Sequence, residues 1–328
     1  SELESTSRGS RGKAGTKTQE DDEVKLFISC NDHDTLLLFS DRGVSYALPA
    51  YRVPMSSRTA KGTPSVQLLP IPREEQITSI VSVEAFDNER YLLMLTKAGF
   101  IKRTPLSAFS KIRSNGLIAI NLEEGDALTW VRLSTEGDSV LIGSSRGMTI
   151  HFRLDINELR PLGRTARGVK SMNLKEGDKL VSMDVLTSDL VDQLAKINNE
   201  NEEDLENNSS NGPWVLVASA FGLGKRVPVT QFRLQKRAGM GLRAIKFRLK
   251  DDSLVGLKVL GEGEELIFVT ERGVIVRTNA DKISQQSRAA IGVKLQRLDD
   301  GDHLSEVVLV PHEQIDDSDQ LISKEEEL

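Results

Sequence analysis

The chain contains a single cysteine, Cys30, so it cannot close an intramolecular disulfide, which suits a reducing compartment; a lone thiol of this kind is expected to be a buried structural residue. It has no apolar run approaching the length of a membrane helix and no apolar core of a signal peptide at its start, so it is expected neither to span a membrane nor to be secreted. Its four histidines, His33, His151, His303 and His312, are scattered and lack partners at ligand spacing, which argues against a zinc site or any other metal. The phosphate loop Gly-x-x-x-x-Gly-Lys-Ser/Thr is missing, and Gly222-x-Gly224 and Gly261-x-Gly263 fall short of a dinucleotide fingerprint. No Ser/His/Asp context appears, and Tyr46, Tyr51 and Tyr91 sit on or beside extended runs. The residues thus offer no catalytic group and no bound cofactor. Helical periodicity is nearly absent as well, apart from a short stretch at Ser188–Asn198.

What is present is a repeat. A β-rich run closed by a polar turn ending in glycine occurs at Leu36–Gly43, Leu92–Gly99, Val140–Gly147, Val215–Gly222 and Leu266–Gly273, a hairpin signal in which glycine supplies the positive φ. A second anchor pairs an arginine with a glycine four residues on: Arg8 and Gly12, Arg58 and Gly62, Arg164 and Gly168, Arg237 and Gly241, Arg288 and Gly292, with a shorter copy at Arg113 and Gly116. Acidic turns follow at Gly125-Asp126, Gly177-Asp178, Asp251-Asp252 and Gly301-Asp302. The period is about fifty residues, with about four short strands per unit, a length close to that of propeller blades. Such sheets bury their faces by packing on neighbours, so six units closing radially are expected; an open sandwich or a pair of barrels is the alternative. One domain is expected over 1–315, its first unit incomplete, with an acidic, low-complexity insertion at 187–212 and an acidic tail at 316–328.

The formal net charge of −6 conceals an uneven distribution. Basic residues gather at the arginine–glycine turns: Arg8, Arg11 and Lys13; Arg58 and Lys61; Lys111 and Arg113; Arg164, Arg167 and Lys170; Lys236, Arg237 and Arg243; Arg288 and Lys294. A further set follows the hairpin glycines: Lys102-Arg103, Lys225-Arg226 and Arg277. In a radial repeat these positions fall on one rim, and a belt of guanidinium and ammonium groups suits the phosphates of double-stranded DNA, held along a curve. A glycine beside the arginine would let backbone N–H groups approach the same oxygens. The other reading makes each turn a structural corner whose arginine pairs with the acidic turn of its own unit. No recognition helix and no consistent Asn or Gln set is present, so shape and charge rather than base identity should govern binding.

These residues resemble the C-terminal domain family of the DNA gyrase A subunit. Thr6-Ser7-Arg8-Gly9-Ser10-Arg11-Gly12-Lys13 is similar to the family's box, with Arg8, Gly9, Arg11, Gly12 and Lys13 in place, Thr6 where the family has glutamine and Ser10 where it has a second glycine. The turns at Arg58–Gly62 and Arg164–Gly168 look like its degenerate copies. The resemblance implies an all-β fold, a six-bladed β-pinwheel that bends and wraps DNA as part of an ATP-dependent type IIA topoisomerase introducing negative supercoils. It further implies two protein partners, a gyrase B subunit plus a second A subunit, with the isolated domain non-catalytic and monomeric, in a bacterial cytoplasmic, nucleoid-associated or organellar location. On this reading the chain is a fragment of a longer polypeptide, and its acidic tail competes with DNA, so that deleting Ser318–Leu328 should change DNA affinity. The homologous domain of topoisomerase IV and a propeller-like scaffold for acidic proteins are the alternatives.

Overall fold

The computed structural model describes residues 13–14, 26, 28, 30–56, 62–190 and 212–310. Most of the acidic insertion, the acidic tail and the turns at Arg8–Gly12 and Arg58–Lys61 therefore lie outside the described residues, as does all but the start of the stretch at Ser188–Asn198.

Five antiparallel four-stranded sheets are formed among the described residues. Each begins with a hairpin: Thr35–Ser40 with Val44–Pro49, Arg90–Thr96 with Phe100–Pro105, Ser139–Ser144 with Met148–Arg153, Trp214–Ser219 with Leu223–Pro228, and Glu265–Thr270 with Val274–Asn279. The hairpin turns close on themselves, as in Gly99 N–H to Thr96 O at 3.0 Å, with Gly99 at φ 91°. A third strand, inner with respect to the ring, pairs with the first strand of each hairpin: Ile77–Val83, Leu128–Thr135, Leu180–Leu186, Leu254–Leu260 and Leu304–Val310. The fourth strand comes from elsewhere. It is the two-residue segment leaving the arginine–glycine turn of the following repeat: Leu117–Ile118, Val169–Lys170, Leu242–Arg243 and Val293–Lys294 cover the first four hairpins in turn. Lys13–Ala14, near the start of the chain, covers the fifth hairpin.

The acidic turns serve this arrangement. Asp126, Asp178, Asp252 and Asp302 accept the hairpin-turn N–H groups of Ala98 (2.8 Å), Arg146 (3.0 Å), Phe221 (3.1 Å) and Arg272 (3.2 Å). Each aspartate caps a hairpin, and none of these four forms an ion pair with an arginine of the arginine–glycine turns among the described residues, so the corner reading that paired them is corrected.

Blades pack face to face through apolar clusters. Leu37, Phe39 and Val81 of the first meet Leu92, Met94 and Val131 of the second, and comparable clusters join second to third, third to fourth and fourth to fifth. Burial of each such side chain is worth about 1.5–3 kcal/mol. The other face of the first blade, with Leu36, Leu38, Tyr46 and Leu48, is covered by Ile28, Leu68, Leu69 and Ile71 and not by the fifth blade. The described residues thus form five blades where six are expected: six arginine–glycine turns accompany five hairpins, and the first repeat lends a closing strand to the last blade. Cys30 is exposed, contrary to the expected buried thiol.

Candidate nucleic-acid interface

The four turns that fall in described residues share one construction. Their last glycines, Gly116, Gly168, Gly241 and Gly292, have φ of 84°, 99°, 76° and 98°. They lie against the second strand of the preceding hairpin, where a Cβ on Gly168 would stand 2.6 Å from the Ile101 carbonyl and one on Gly292 2.7 Å from that of Gly224. The glycine is therefore required for close approach of protein to protein rather than of backbone to phosphate. Beyond it the exit strand runs in fixed register, Ile118 opposite Val44, Lys170 opposite Phe100, Arg243 opposite Met148 and Lys294 opposite Leu223.

Lysine and arginine residues after the hairpin glycines sit beneath these turns. Lys102 is fully buried, and its Nζ donates to the carbonyls of Gly163 (3.0 Å) and Arg164 (2.5 Å). Lys225 is its equivalent in the fourth blade and donates to Ser287 (2.8 Å), Arg288 (2.6 Å) and Ala290 (2.6 Å). Burial, and next the neighbouring Arg164, pull the Lys102 ammonium down to about 7; burial and then Arg288 pull that of Lys225 down to about 8.

The following residue faces the other way and ties down the next repeat. Arg103, fully buried with its guanidinium over the Tyr91 ring, donates to the carbonyls of Leu159 (2.5 Å) and Leu154 (2.9 Å) and pairs with Glu136 at 2.7 Å. Arg226 lies over Trp214, donates to the Ile283 carbonyl at 2.9 Å and pairs with Asp281 at 2.7 Å. His151, at the same place in the third blade, bonds to the Phe232 carbonyl at 2.6 Å, and Arg277 in the fifth pairs with Glu265. Lys102, Arg103 and Lys225 do not reach the rim, and Arg226 and Arg277 are engaged by carboxylates. Their expected place in the DNA-contacting belt is corrected: Lys102, Arg103, Lys225 and Arg226 are clamps between repeats, and Arg277 is tied to Glu265 within its own hairpin.

The turn arginines link neighbouring turns. Arg164 donates through Nη1 to the carbonyl of Ile118 at 3.1 Å, Arg237 to that of Lys170 at 2.7 Å, and Arg288 to that of Arg243, in each case the last residue of the preceding exit strand. Arg237 also holds the Glu158 carbonyl through Nε at 2.9 Å. Arg167 pairs with Glu123 and lies over the Phe100 ring. Lys111, Arg113, Lys170, Lys236, Arg243 and Lys294 are exposed, and their side chains form no ion pair among the described residues. Between the third and fourth turns Lys111, Arg113 and Arg164 line a groove of about 710 Å³ floored by Ile112, Leu117 and Ile118. Arg8, Gly9, Arg11, Gly12, Arg58 and Lys61 lie outside the described residues, and only the backbone of Lys13 is placed.

Other exposed cations were not singled out from the sequence. Lys246, Arg248, Lys250 and Arg297 follow the exit strands of the fifth and sixth turns, where the third has Asn121, Glu123 and Glu124. Aligning the segments after each turn glycine would have exposed this difference.

A family model described as the DNA gyrase C-terminal domain, a β-propeller, matches residues 1–31, 34–84, 90–135, 138–187, 213–260 and 264–311. The chain is 55% identical to the DNA gyrase A subunit of Synechocystis over 93% of its own length and 36% of that protein's. It is 39% identical to the chloroplastic/mitochondrial DNA gyrase A subunit of Arabidopsis thaliana over 97% and 34%. It spans about a third of the length of these relatives. Among solved structures, a DNA gyrase A C-terminal domain superposes with a TM-score of 0.75 at 26% identity, covering 94% of each chain. The C-terminal domain of a DNA topoisomerase IV gives 0.70 at 25% identity, covering 95% of this chain and 90% of that one.

Proposed function

Because this chain belongs to the DNA gyrase C-terminal domain family, we propose that it binds, bends and wraps double-stranded DNA around its rim without reading base sequence. The observation that carries this reading is the recurrence of an exposed cation at one register position, Lys170, Arg243 and Lys294, on the outer strand of successive blades. Cations repeated at equal angular steps present phosphates with a curved track, and contacts along it offset a bending cost of about 1–6 kcal/mol for 20–30 bp. Lys111, Arg113, Lys236 and the outward edges of Arg164, Arg237 and Arg288 flank the track, as do Arg8, Arg11, Arg58 and Lys61 by their place in the repeat; Lys13 adjoins it, one residue before the register position that Ala14 holds.

In the whole protein this domain serves a type IIA topoisomerase that introduces negative supercoils, together with a B subunit plus a second A subunit, in the bacterial cytoplasm or an organelle. A sixth blade fits the same rule. The segment leaving the turn at Gly62 forms no strand at Thr63–Pro64, where later copies form the outer strand, and runs on into a one-turn helix, Ser65–Leu68; the hairpin it would cover is not among the described residues.

Duplexes of increasing length, titrated at several salt concentrations, test the reading. A wrapper shows a length threshold and a steep salt slope. Binding that ignores duplex length would instead favour a scaffold for acidic partners.

A further inference from the structure

The residue just before the turn glycine is Arg11, Lys61, Asn115, Arg167, Met240 and Ile291 in successive copies. Arg167 shows where this position lies, its guanidinium 4.4 Å from the centre of the Phe100 ring on the outer part of a blade. In the fifth copy the place is held by Met240, which is 54% exposed.

The turn that carries it differs in backbone too. Ala238 has φ 61°, the left-handed conformation that residues with a Cβ avoid, and it is the only non-glycine residue there among the described residues. Neighbouring segments hold it in that shape: Ala238 N–H donates to Ser171 O and Asn173 N–H to Gly239 O, both at 2.8 Å. Arg233, Lys236, Arg243, Lys246, Arg248 and Lys250 surround it in the chain and are all exposed, as are Leu234 and Leu249. Lys246 N–H donates to Ala290 O at 3.2 Å, and Arg288 reaches the Arg243 carbonyl, so the sixth turn joins the same surface.

A cation at this position could only follow phosphates. An unbranched apolar side chain, set in a constrained turn and surrounded by cations, has the chemistry of a wedge that enters between two base pairs while its neighbours grip the backbone. Resting on the wrapping function proposed above, we propose that Met240 is such a wedge and kinks the duplex at one point of an otherwise smoothly bent path. Flexible pyrimidine–purine steps should then settle at this sector.

The test uses the full chain on a long duplex carrying one TA step, with permanganate probing of unstacked thymine and retention of duplex measured on the same samples. Wild type and Met240→Leu should make the step hyperreactive, whereas Met240→Lys should bind as well but lose the hyperreactivity. Bound duplex with no hyperreactive step, or one unchanged in Met240→Lys, would overturn the wedge and leave wrapping intact. Failure of the wild type to retain duplex would overturn the wrapping function itself. Binding to anionic vesicles that is lost in Met240→Lys while DNA reactivity is unchanged would reassign the patch to membranes and overturn the proposal.

Discussion

Two sets of basic residues look alike in the sequence and behave oppositely in the fold. Lys102-Arg103 and Lys225-Arg226 follow hairpin glycines, lie on a strand flanked on both sides within its sheet and bind backbone carbonyls of the next repeat. Lys170, Arg243 and Lys294 follow turn glycines, lie on outer strands and face solvent. The difference comes from strand exchange. Because the outer strand is donated by the following repeat, the second hairpin strand is an interior strand, and cations placed on it must find partners within the protein. What the comparison teaches is that the inner set builds the turns which carry the outer set.

The largest effect that separates them is on stability. Replacing Arg103 with Met leaves the Leu154 and Leu159 carbonyls without their buried donor and should cost about 3 kcal/mol in urea unfolding. The folded fraction should bind DNA as the wild type does.

Lys225→Met comes next, at about 2 kcal/mol, because three carbonyls lose one ammonium. This lysine also has a pH signature. Its folded value of about 8 lies below its ordinary 10.5, so between these values the unfolded chain binds more protons, and the lysine's contribution to stability rises with pH across that window. Below both values the folded state bears the full cost of the dehydrated charge. Unfolding free energies between pH 7.5 and 10.5 should show this rise in the wild type and lose it in Lys225→Met.

On the rim the effect moves from stability to affinity. Lys170→Ala, Arg243→Ala or Lys294→Ala should each weaken long-duplex binding about tenfold, roughly 1.4 kcal/mol, and lower the salt slope by about one, with unfolding changed by less than about 0.5 kcal/mol. Smallest of all is a gain: Asn121 occupies the place of Lys246 and Arg297, so Asn121→Lys should tighten binding about twofold. Loss of affinity in the Lys225→Met folded state equal to that in Lys294→Ala would erase the distinction between the two sets.

Much of this was legible in the sequence. The hairpin glycines, the turn glycines and the period of about fifty residues mark all five hairpins and the strands leaving the turns. The number of blades among the described residues was not, because counting turns overlooks that a turn and the hairpin it covers belong to different repeats. The inner clamps do carry a signal in the sequence: Lys102 and Arg103 are consecutive on a strand, where neighbouring side chains point to opposite faces, so the pair cannot present one cationic surface. The aspartates of the acidic turns were visible as turn residues, but their work as caps on hairpins some thirty residues earlier follows only from the closed sheet.

The central claim, that the outer-strand cations hold DNA in a curve, is tested most directly by the linking number of relaxed circular DNA closed by a nicking–closing enzyme in the presence of the protein. The wild type and folded Lys225→Met should both shift it, and the triple variant Lys170→Glu, Arg243→Glu, Lys294→Glu should leave it at the value for free DNA. A triple variant that shifts it as far as the wild type does, or a wild type that shifts it not at all, would contradict the account.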